Sequence, residues 1–430
     1  MLRAFANAFK IPDLRGKILF TLGIIAVYRF GSFVPIPGVD YAALQAIREQ
    51  ASAGGITALL NLFSGGALTQ LAVFALGIMP YITASIIMQL LTVVIPKLEE
   101  WQQEGETGQK RITQITRYLT VVLAILQATS TIVLIETGQL FGGAIDTAGL
   151  IPDPGIPIRA LMVLTLTAGT AFIMWLGELI TQRGIGNGMS LLIFSAIVSE
   201  LPGQGNAILQ TAGPLVFTVA MVTGLLLIVG VVFVEQGQRR IPVQYAKRTV
   251  GRRTYGGTST YIPLKVNQSG VIPIIFASSL LYLPQLAAGV IGNDRFTAWV
   301  DTYFTTGSHP IYIATFFVLV VFFAYFYTAI TFNPIQVADN MKKYGGFIPG
   351  IRPGRPTAEY LDRVLTRITL PGSLYLAVLA ILPLIVFAIA GVQFPFGGST
   401  LLIVVGVGLE TMKQLESQLL QRHYEGFLKA

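Results

Sequence analysis

Long apolar stretches alternate with short polar gaps along this chain, and that rhythm predicts its architecture. Ten apolar stretches stand out: residues 18–35, 68–96, 118–137, 157–177, 188–206, 214–234, 269–291, 311–332, 368–391 and 395–412. About 20 apolar residues in a helix cross a hydrocarbon core of roughly 30 Å. Most of the stretches meet that length, and a helix satisfies its own backbone N–H and C=O groups where lipid offers none. The pattern predicts an all-α polytopic membrane protein with ten transmembrane helices. No linker is long enough to separate domains, so one bundle spanning 1–430 is expected.

Five spans fall in residues 1–206 and five in 207–430. An odd number of spans per half makes the halves inverted copies, an arrangement of membrane transport folds that places a pathway at the interface. Three segments break the rhythm. Residues 56–67 form an apolar helix candidate too short to span, ending at Gly65-Gly66; it lies on the interface or dips back among the helices. Residues 235–268 place the β-prone runs Ile241-Pro242-Val243 and Thr258–Ile262 on either side of Gly256-Gly257, which predicts a cytosolic hairpin turning at the glycines. In 333–367, Gly350, Pro353 and Gly354 force a tight turn that presents Arg352.

Charge orients this bundle. If the gaps alternate sides, all but four of the 29 Lys and Arg residues fall on one side; the exceptions are Arg29, Arg48, Arg159 and Arg295. By the positive-inside rule that side is the cytoplasm, with both termini in it. The net charge of +8 is then mostly loop charge that meets anionic lipid headgroups, and no DNA partner is expected. The basic leader Arg3, Lys10, Arg15 and Lys17 runs into a span without a small-x-small cleavage site, so it reads as a retained signal anchor. Composition agrees: 53% of residues are hydrophobic, 12% are charged, and mean hydropathy is +0.67. With no cysteine, disulfides and thiolate metal sites are excluded.

Candidate chemistry is sparse. The two histidines, His309 and His423, lie in an outer loop and the C-terminal tail, so no His-Glu-x-x-His site exists. There is no Gly-x-Ser-x-Gly, and Gly16-Lys17 lacks the glycine-rich run of a P-loop. Gly184, Gly186 and Gly188 read as a tight turn between spans four and five. No enzyme, cofactor or metal site is expected. A proton-coupled carrier would hold carboxylates or histidines in the membrane, whereas Glu178 and Glu410 sit near cytoplasmic span ends. Arg29, toward the outer end of span one, is expected to snorkel. Gln70, Gln89, Gln127, Asn267 and Gln268 are expected to make interhelical hydrogen bonds. The basic loops either fix topology or dock an acidic partner such as rRNA or an acidic protein face. A secondary transporter for small solutes is the alternative reading, and an intramembrane protease lacks the residues.

Several segments are specific enough to carry a resemblance. They are Asn61–Leu68 running into Phe74–Ile82, then Trp175–Glu178, Arg183–Gly188, Glu235–Ile241, Pro263–Asn267 and Phe347–Gly354. Across essentially the whole chain they resemble the SecY family, the channel subunits of the bacterial Sec protein translocon. The resemblance implies two five-helix halves around a central hourglass pore, a passive path for unfolded secretory polypeptides, and lateral release of hydrophobic segments into lipid. It implies a pore ring of Ile78, Ile82, Met189, Ile193, Ile275 and Ile403, and a plug at 56–67 that includes Leu59, Leu60, Asn61, Leu62, Phe63, Ser64, Gly65 and Gly66. The pairs Ile78/Ile82 and Met189/Ile193 are spaced to share a helix face. Met189 stands where relatives also carry Ile, so the seal there is expected to be softer. The resemblance further implies a lateral gate between spans two to three and seven to eight, with Gln89 and Asn267 across it. Docking of the SecA ATPase motor or the ribosome falls to Arg239, Arg240, Lys247, Arg248, Arg252, Arg253 and Arg352. Implied partners are SecE and SecG, preprotein and signal peptide, and anionic lipids, in the bacterial inner membrane.

Overall fold

A computed structural model describes residues 9, 11–50, 64–136, 150–152, 155–211, 213–245, 248–250, 253–255, 259–291, 294–305, 309–390 and 398–428. In chain order its elements are α1 (Pro12–Gly31), α2 (Tyr41–Gln50), α3 (Met79–Val94), α4 (Pro96–Gln103), α5 (Glu106–Glu136), α6 (Ile156–Arg183), α7 (Gly188–Thr211) and α8 (Gly213–Gln236). Four strands follow: β1 (Gln238–Tyr245), β2 (Arg248–Val250), β3 (Arg253–Tyr255) and β4 (Ser259–Lys265). Then come α9 (Ile272–Ile291), α10 (Asp294–Val300), α11 (Pro310–Thr331), α12 (Pro334–Lys343), β5 (Gly346–Phe347), α13 (Arg355–Ala390) and α14 (Gly398–Leu428). Each of the ten apolar stretches holds a helix. Among the described residues five helices are each long and apolar enough to cross a membrane, and the bent pair α3–α4 is a further candidate.

Local chemistry sets the helix ends. Pro96 pushes Ile95 into an extended conformation (φ −101°, ψ 111°), so α4 leaves α3 at an angle of 101°. Asn187 caps α7: its Oδ1 accepts from the backbone N–H groups of Met189 at 3.1 Å and Ser190 at 3.4 Å. With Gly186 at φ +85°, this builds the tight turn expected from the glycines. Asn333 caps α12 in the same way, accepting from Ile335 at 3.1 Å and Gln336 at 3.2 Å, with Pro334 at the first helical position.

The chain clusters into two compact units. The first comprises Met1–Thr218, Ser279–Tyr312 and Ile403–Ala430; the second comprises Val219–Ser278 and Ile313–Leu402. In the first unit α3 packs on α5, α5 on α6, and α1 on both α6 and α7. Here the structure corrects the second span. Residues 65–78 are turns, and helix begins only at Met79. That irregular stretch is tied to the chain leaving α1: Ile36 N–H donates to the Leu71 carbonyl at 2.9 Å, and Val73 N–H to the Val34 carbonyl at 2.8 Å. Leu71 is 1% exposed and holds φ at +46°, a left-handed conformation that costs a non-glycine residue about 1–3 kcal/mol. Its burial beside Ile36, Leu44, Leu150 and Met162 offsets that cost.

In the second unit, β1 pairs antiparallel with β4, from Gln238↔Lys265 to Gln244↔Ser259. The expected antiparallel pairing is present, while Gly256-Gly257 lie outside the described residues. β2 and β3 also pair antiparallel, with Val250 opposite Arg253. β5, from the 333–367 loop, joins the other edge of β1 through Gln244↔Phe347 and Tyr245↔Gly346, giving the order β4-β1-β5. Alternation along β1 buries Ile241 and Val243 against Leu264, Met341, Ile348 and Leu361. The two basic loops thus share one apolar core. Below it, Gly372 of α13 lets Val266 approach: a Cβ there would collide with the Val266 carbonyl. Gly372→Val is expected to destabilise the fold by about 1–3 kcal/mol, the usual range for overpacking. Thermal unfolding in detergent reads this, and an unchanged midpoint would show that the contact yields.

Candidate functional site

Four groups of residues stand out from the sequence, and the structure places them as follows. In the 56–67 segment, Leu59, Leu60, Asn61, Leu62 and Phe63 lie outside the described residues, while Ser64, Gly65 and Gly66 lie within them. Ser64 is 1% exposed, its Oγ accepts from Leu68 N–H at 3.1 Å, and its carbonyl accepts from Tyr28 Oη at 3.4 Å. Arg29 departs from expectation. Its Nη1 donates to the Gly65 carbonyl at 2.8 Å, and its guanidinium carbon sits 5.1 Å from the Phe33 ring centroid. An internal acceptor, not snorkelling alone, settles this cation.

Five of the six proposed ring residues lie on four helices, and the sixth, Ile78, immediately precedes one of them. Ile78 precedes α3 and Ile82 lies one turn in, with Ile82 N–H donating to the Ile78 carbonyl at 3.1 Å. Ile78 is 1% exposed, and Ile82 is half-buried. On α7, Ile193 is buried and Met189 is half-buried. The Met189 thioether lies against Gly177 of α6, where its sulfur would be 2.5 Å from an added Cβ. Ile403 on α14 is buried in the first unit, and Ile275 on α9 is buried in the second.

The polar groups behave less uniformly than expected. Asn267 is 3% exposed, and its Nδ2 donates to Glu235 Oε1 at 2.5 Å and to the Gly270 carbonyl at 3.1 Å. It is therefore committed within the second unit, at the root of the hairpin. Gln89 and Gln268 break the expectation of interhelical hydrogen bonds: each buries its Oε1 without a hydrogen-bond partner among the described residues. Glu178 receives a two-pronged contact from Arg117, Nε to Oε1 at 2.8 Å and Nη2 to Oε2 at 2.5 Å. This carboxylate is thus engaged by a charged hydrogen-bonded partner.

On the hairpin, Arg239 and Arg240 are exposed, and the Arg240 guanidinium lies 4.8 Å from the Tyr261 ring centroid. Arg248 and Arg253 contribute backbone to β2 and β3, while Lys247 and Arg252 lie outside the described residues. Arg352 is exposed on the turn between β5 and α13. That turn is stiff. Gly350 and Gly354 hold φ at +82° and +100°, Ile351 N–H donates to the Ile348 carbonyl at 3.0 Å, and Thr357 Oγ1 donates to the Arg352 carbonyl at 2.8 Å. The register that joins the two loops was not legible in the sequence, because β5 is only two residues long.

Comparison with known proteins fits this geometry. The SecY family model matches residues 72–412. The chain is 60% identical over 437 residues to the protein translocase subunit SecY of Streptomyces galbus, with all of both chains covered. It is 58% identical over 443 residues to that of Mycobacterium bovis, again with full coverage. Among solved structures, a protein-conducting channel superposes with a TM-score of 0.65 at 18% identity, covering 93% of this chain and 91% of that one. Sec61 from the canine ribosome-channel complex of the endoplasmic reticulum gives 0.61 at 18% identity, with the same coverages. These matches lend no support to a small-solute transporter. Both the family model and full-length relatives near 60% identity agree with apolar helices bearing a small β-sheet: the chain belongs to the SecY family and is a membrane-embedded subunit of a protein-conducting channel.

Proposed function

We propose that Ile78, Ile82, Met189, Ile193, Ile275 and Ile403 form the constriction through which an unfolded polypeptide threads. The observation that carries this reading is the burial of Ile78, Ile193, Ile275 and Ile403 on four different helical segments, none above 6% exposure. An apolar aperture dewets and blocks ions, yet makes no demand on the sequence of a threading chain. Isoleucine, stiff at χ1, suits such a seal. The five-span halves 1–206 and 207–430 are the two sides of the pathway. The 56–67 segment is the plug, and one solved neighbour is described as having a plug domain that stabilises the closed state and maintains a membrane seal. The gate to lipid lies between spans two to three and seven to eight, with Gln89 and Asn267 across it. Gln89 Oε1, without a hydrogen-bond partner among the described residues, is an acceptor that a passing segment can meet.

In this reading the cytosolic platform docks the driving partner. Arg239, Arg240, Lys247, Arg248, Arg252 and Arg253 meet an acidic or phosphate-rich surface, and Arg352 meets the SecA motor. The related Sec61 and Ssh1 structures are complexes with ribosomes, which supports ribosome docking here as well. SecE and SecG complete the assembly, anionic lipids face the basic loops, and both termini lie on the cytoplasmic side of the inner membrane. The subunit is passive, with energy supplied by the motor, by elongation or by the membrane potential.

Site-specific photocrosslinking tests the pathway. A photoreactive residue replaces Ile193 or Ile275 in membranes that hold the motor, ATP and a secretory chain stalled by a folded C-terminal domain. Crosslinks that form only with ATP are the expected result. A chain that translocates and stalls without crosslinking from either position would remove both from the pathway.

A further inference from the structure

Between α9 and α11 the chain gathers aromatic rings that the pathway proposed above does not employ. α10 ends at Val300, and Asp301–Thr305 continue it as a single π-helical turn. A π turn bonds residue i to i+5, so side chains four and five residues ahead both come round to Trp299. Tyr303 and Phe304 stand there, their ring centroids 5.7 and 5.3 Å from that of Trp299. Phe296, three residues back, stacks on the indole at 6.3 Å with 20° between the ring planes. The cluster is tied to α11 as well. The Tyr303 ring meets His309 edge-on at 5.2 Å, and His309 Nδ1 accepts from Ile311 N–H at 3.2 Å. Val300 is buried, whereas Trp299 keeps 49% of its surface exposed. Ser279–Tyr312 belong to one compact unit, so all these contacts lie within a single body.

We propose that this cluster anchors the connection between α9 and α11 in the membrane interface, with Trp299 seated among lipid headgroups and glycerol esters. Its position selects lipid as the occupant. α11 begins at Pro310, and its 22 residues, about 33 Å long, suffice to cross the hydrocarbon core. The first turn of α11 therefore marks the edge of that core, and His309 with the rings behind it holds Trp299 near the same level. The flank of α11 points the same way. Ile311, Val318 and Phe322 are exposed, and their spacing puts them on one face, a stripe that hydrocarbon covers and that starts in that first turn. Indole suits the boundary where the stripe ends. It joins a large apolar body to one N–H donor, a pairing that matches the interface better than either bulk water or hydrocarbon. The inference needs only a membrane-embedded chain and is independent of the ring and plug readings.

Tryptophan quenching in the reconstituted membrane assembly tests the seat. The chain has three tryptophans, Trp101, Trp175 and Trp299, so Trp101→Phe with Trp175→Phe leaves one reporter. Subtracting the emission of the same assembly carrying Trp299→Phe as well isolates its signal. Phospholipids brominated high on the acyl chain are expected to quench Trp299 at least about twofold more than chain-end bromines or aqueous iodide. Dominant quenching by iodide would put the ring in water, and dominant quenching by chain-end bromines would put it in the core. Protection from all three quenchers would mean that protein covers it. Each of these results overturns the proposal. If the doubly substituted chain fails to assemble, the difference between the unaltered chain and Trp299→Phe is read by the same criteria. Anchoring has its own readout. The chain has no cysteine, so Ala298→Cys, at an exposed position, carries a unique nitroxide whose accessibility to oxygen and to a water-soluble nickel complex reports depth. Adding Trp299→Ser should raise the nickel accessibility of that label about threefold or more, as the segment leaves the interface. Unchanged accessibility would show that Trp299 touches lipid without holding the segment, which overturns the anchor.

Discussion

Arg352→Glu is expected to slow motor-driven preprotein transport at least about tenfold while leaving the subunit folded. The residue is exposed, and the shape of its turn comes from Gly350, Gly354 and the Thr357 hydroxyl bond to the Arg352 carbonyl. Substitution at such a position changes stability by no more than about 0.5 kcal/mol. A reversed charge at a docking contact loses the attraction and adds repulsion; removing one partner of a close interfacial pair commonly costs about 2–5 kcal/mol of binding. The measurement is ATP-dependent protection of a secretory chain in inverted vesicles, with thermal unfolding as the folding control. Transport within about twofold of the parent, on a folded subunit, would falsify the docking role of Arg352. The adjacent glycines offer a contrast. Gly354→Val should also slow transport, but through strain of about 1–2 kcal/mol from its positive φ, and it should lower the unfolding midpoint.

The paired change Ile78→Ser, Ile193→Ser should make the idle channel conduct ions about tenfold or more above the parent. Both side chains are buried, at 1% and 4% exposure, and each is an apolar wall of the proposed constriction. A hydroxyl in place of a branched hydrocarbon lets water persist in a narrow aperture that would otherwise dewet. Large-to-small changes at buried sites cost about 2–5 kcal/mol of stability, so intact assembly has to be verified first. Ile78→Leu with Ile193→Leu conserves volume and apolarity and should stay quiet. Conductance recorded in planar bilayers separates the outcomes. If serine and leucine pairs leak alike, the effect is loosened packing and not wetting of a ring.

Most of the bundle can be read from apolar run length, because lipid leaves the backbone few alternatives. The limits of that reading lie in particular residues. The run 68–96 is continuously apolar, and nothing local distinguishes buried turns at 65–78 from helix; the deciding hydrogen bonds come from Val34 and Ile36. Gly256-Gly257 is a strong turn signal, but the short β2–β3 ladder, with Val250 opposite Arg253, carries no such signal of its own. β5 is too short to show any periodicity, so its pairing with β1 a hundred residues away was invisible. The site divides similarly. Arg352 announces itself through Gly350, Pro353 and Gly354. A buried isoleucine in a bundle of isoleucines announces nothing, and the proposed ring rests on family resemblance. Arg29 was visible as an oddity, but its acceptor is a backbone carbonyl, which no sequence pattern marks.

The shared sheet has a mechanical meaning. Gly237 alone separates α8 from β1, a short turn links β4 to α9, and α12 with β5 bridges α11 to α13. One small solid body, with Leu361 at 0% exposure at its heart, therefore yokes the adjoining ends of four helices. A protein that grips Arg352 does not tug on a slack string. In the proposed docking it would turn a handle whose torque reaches the ends of four helices at once.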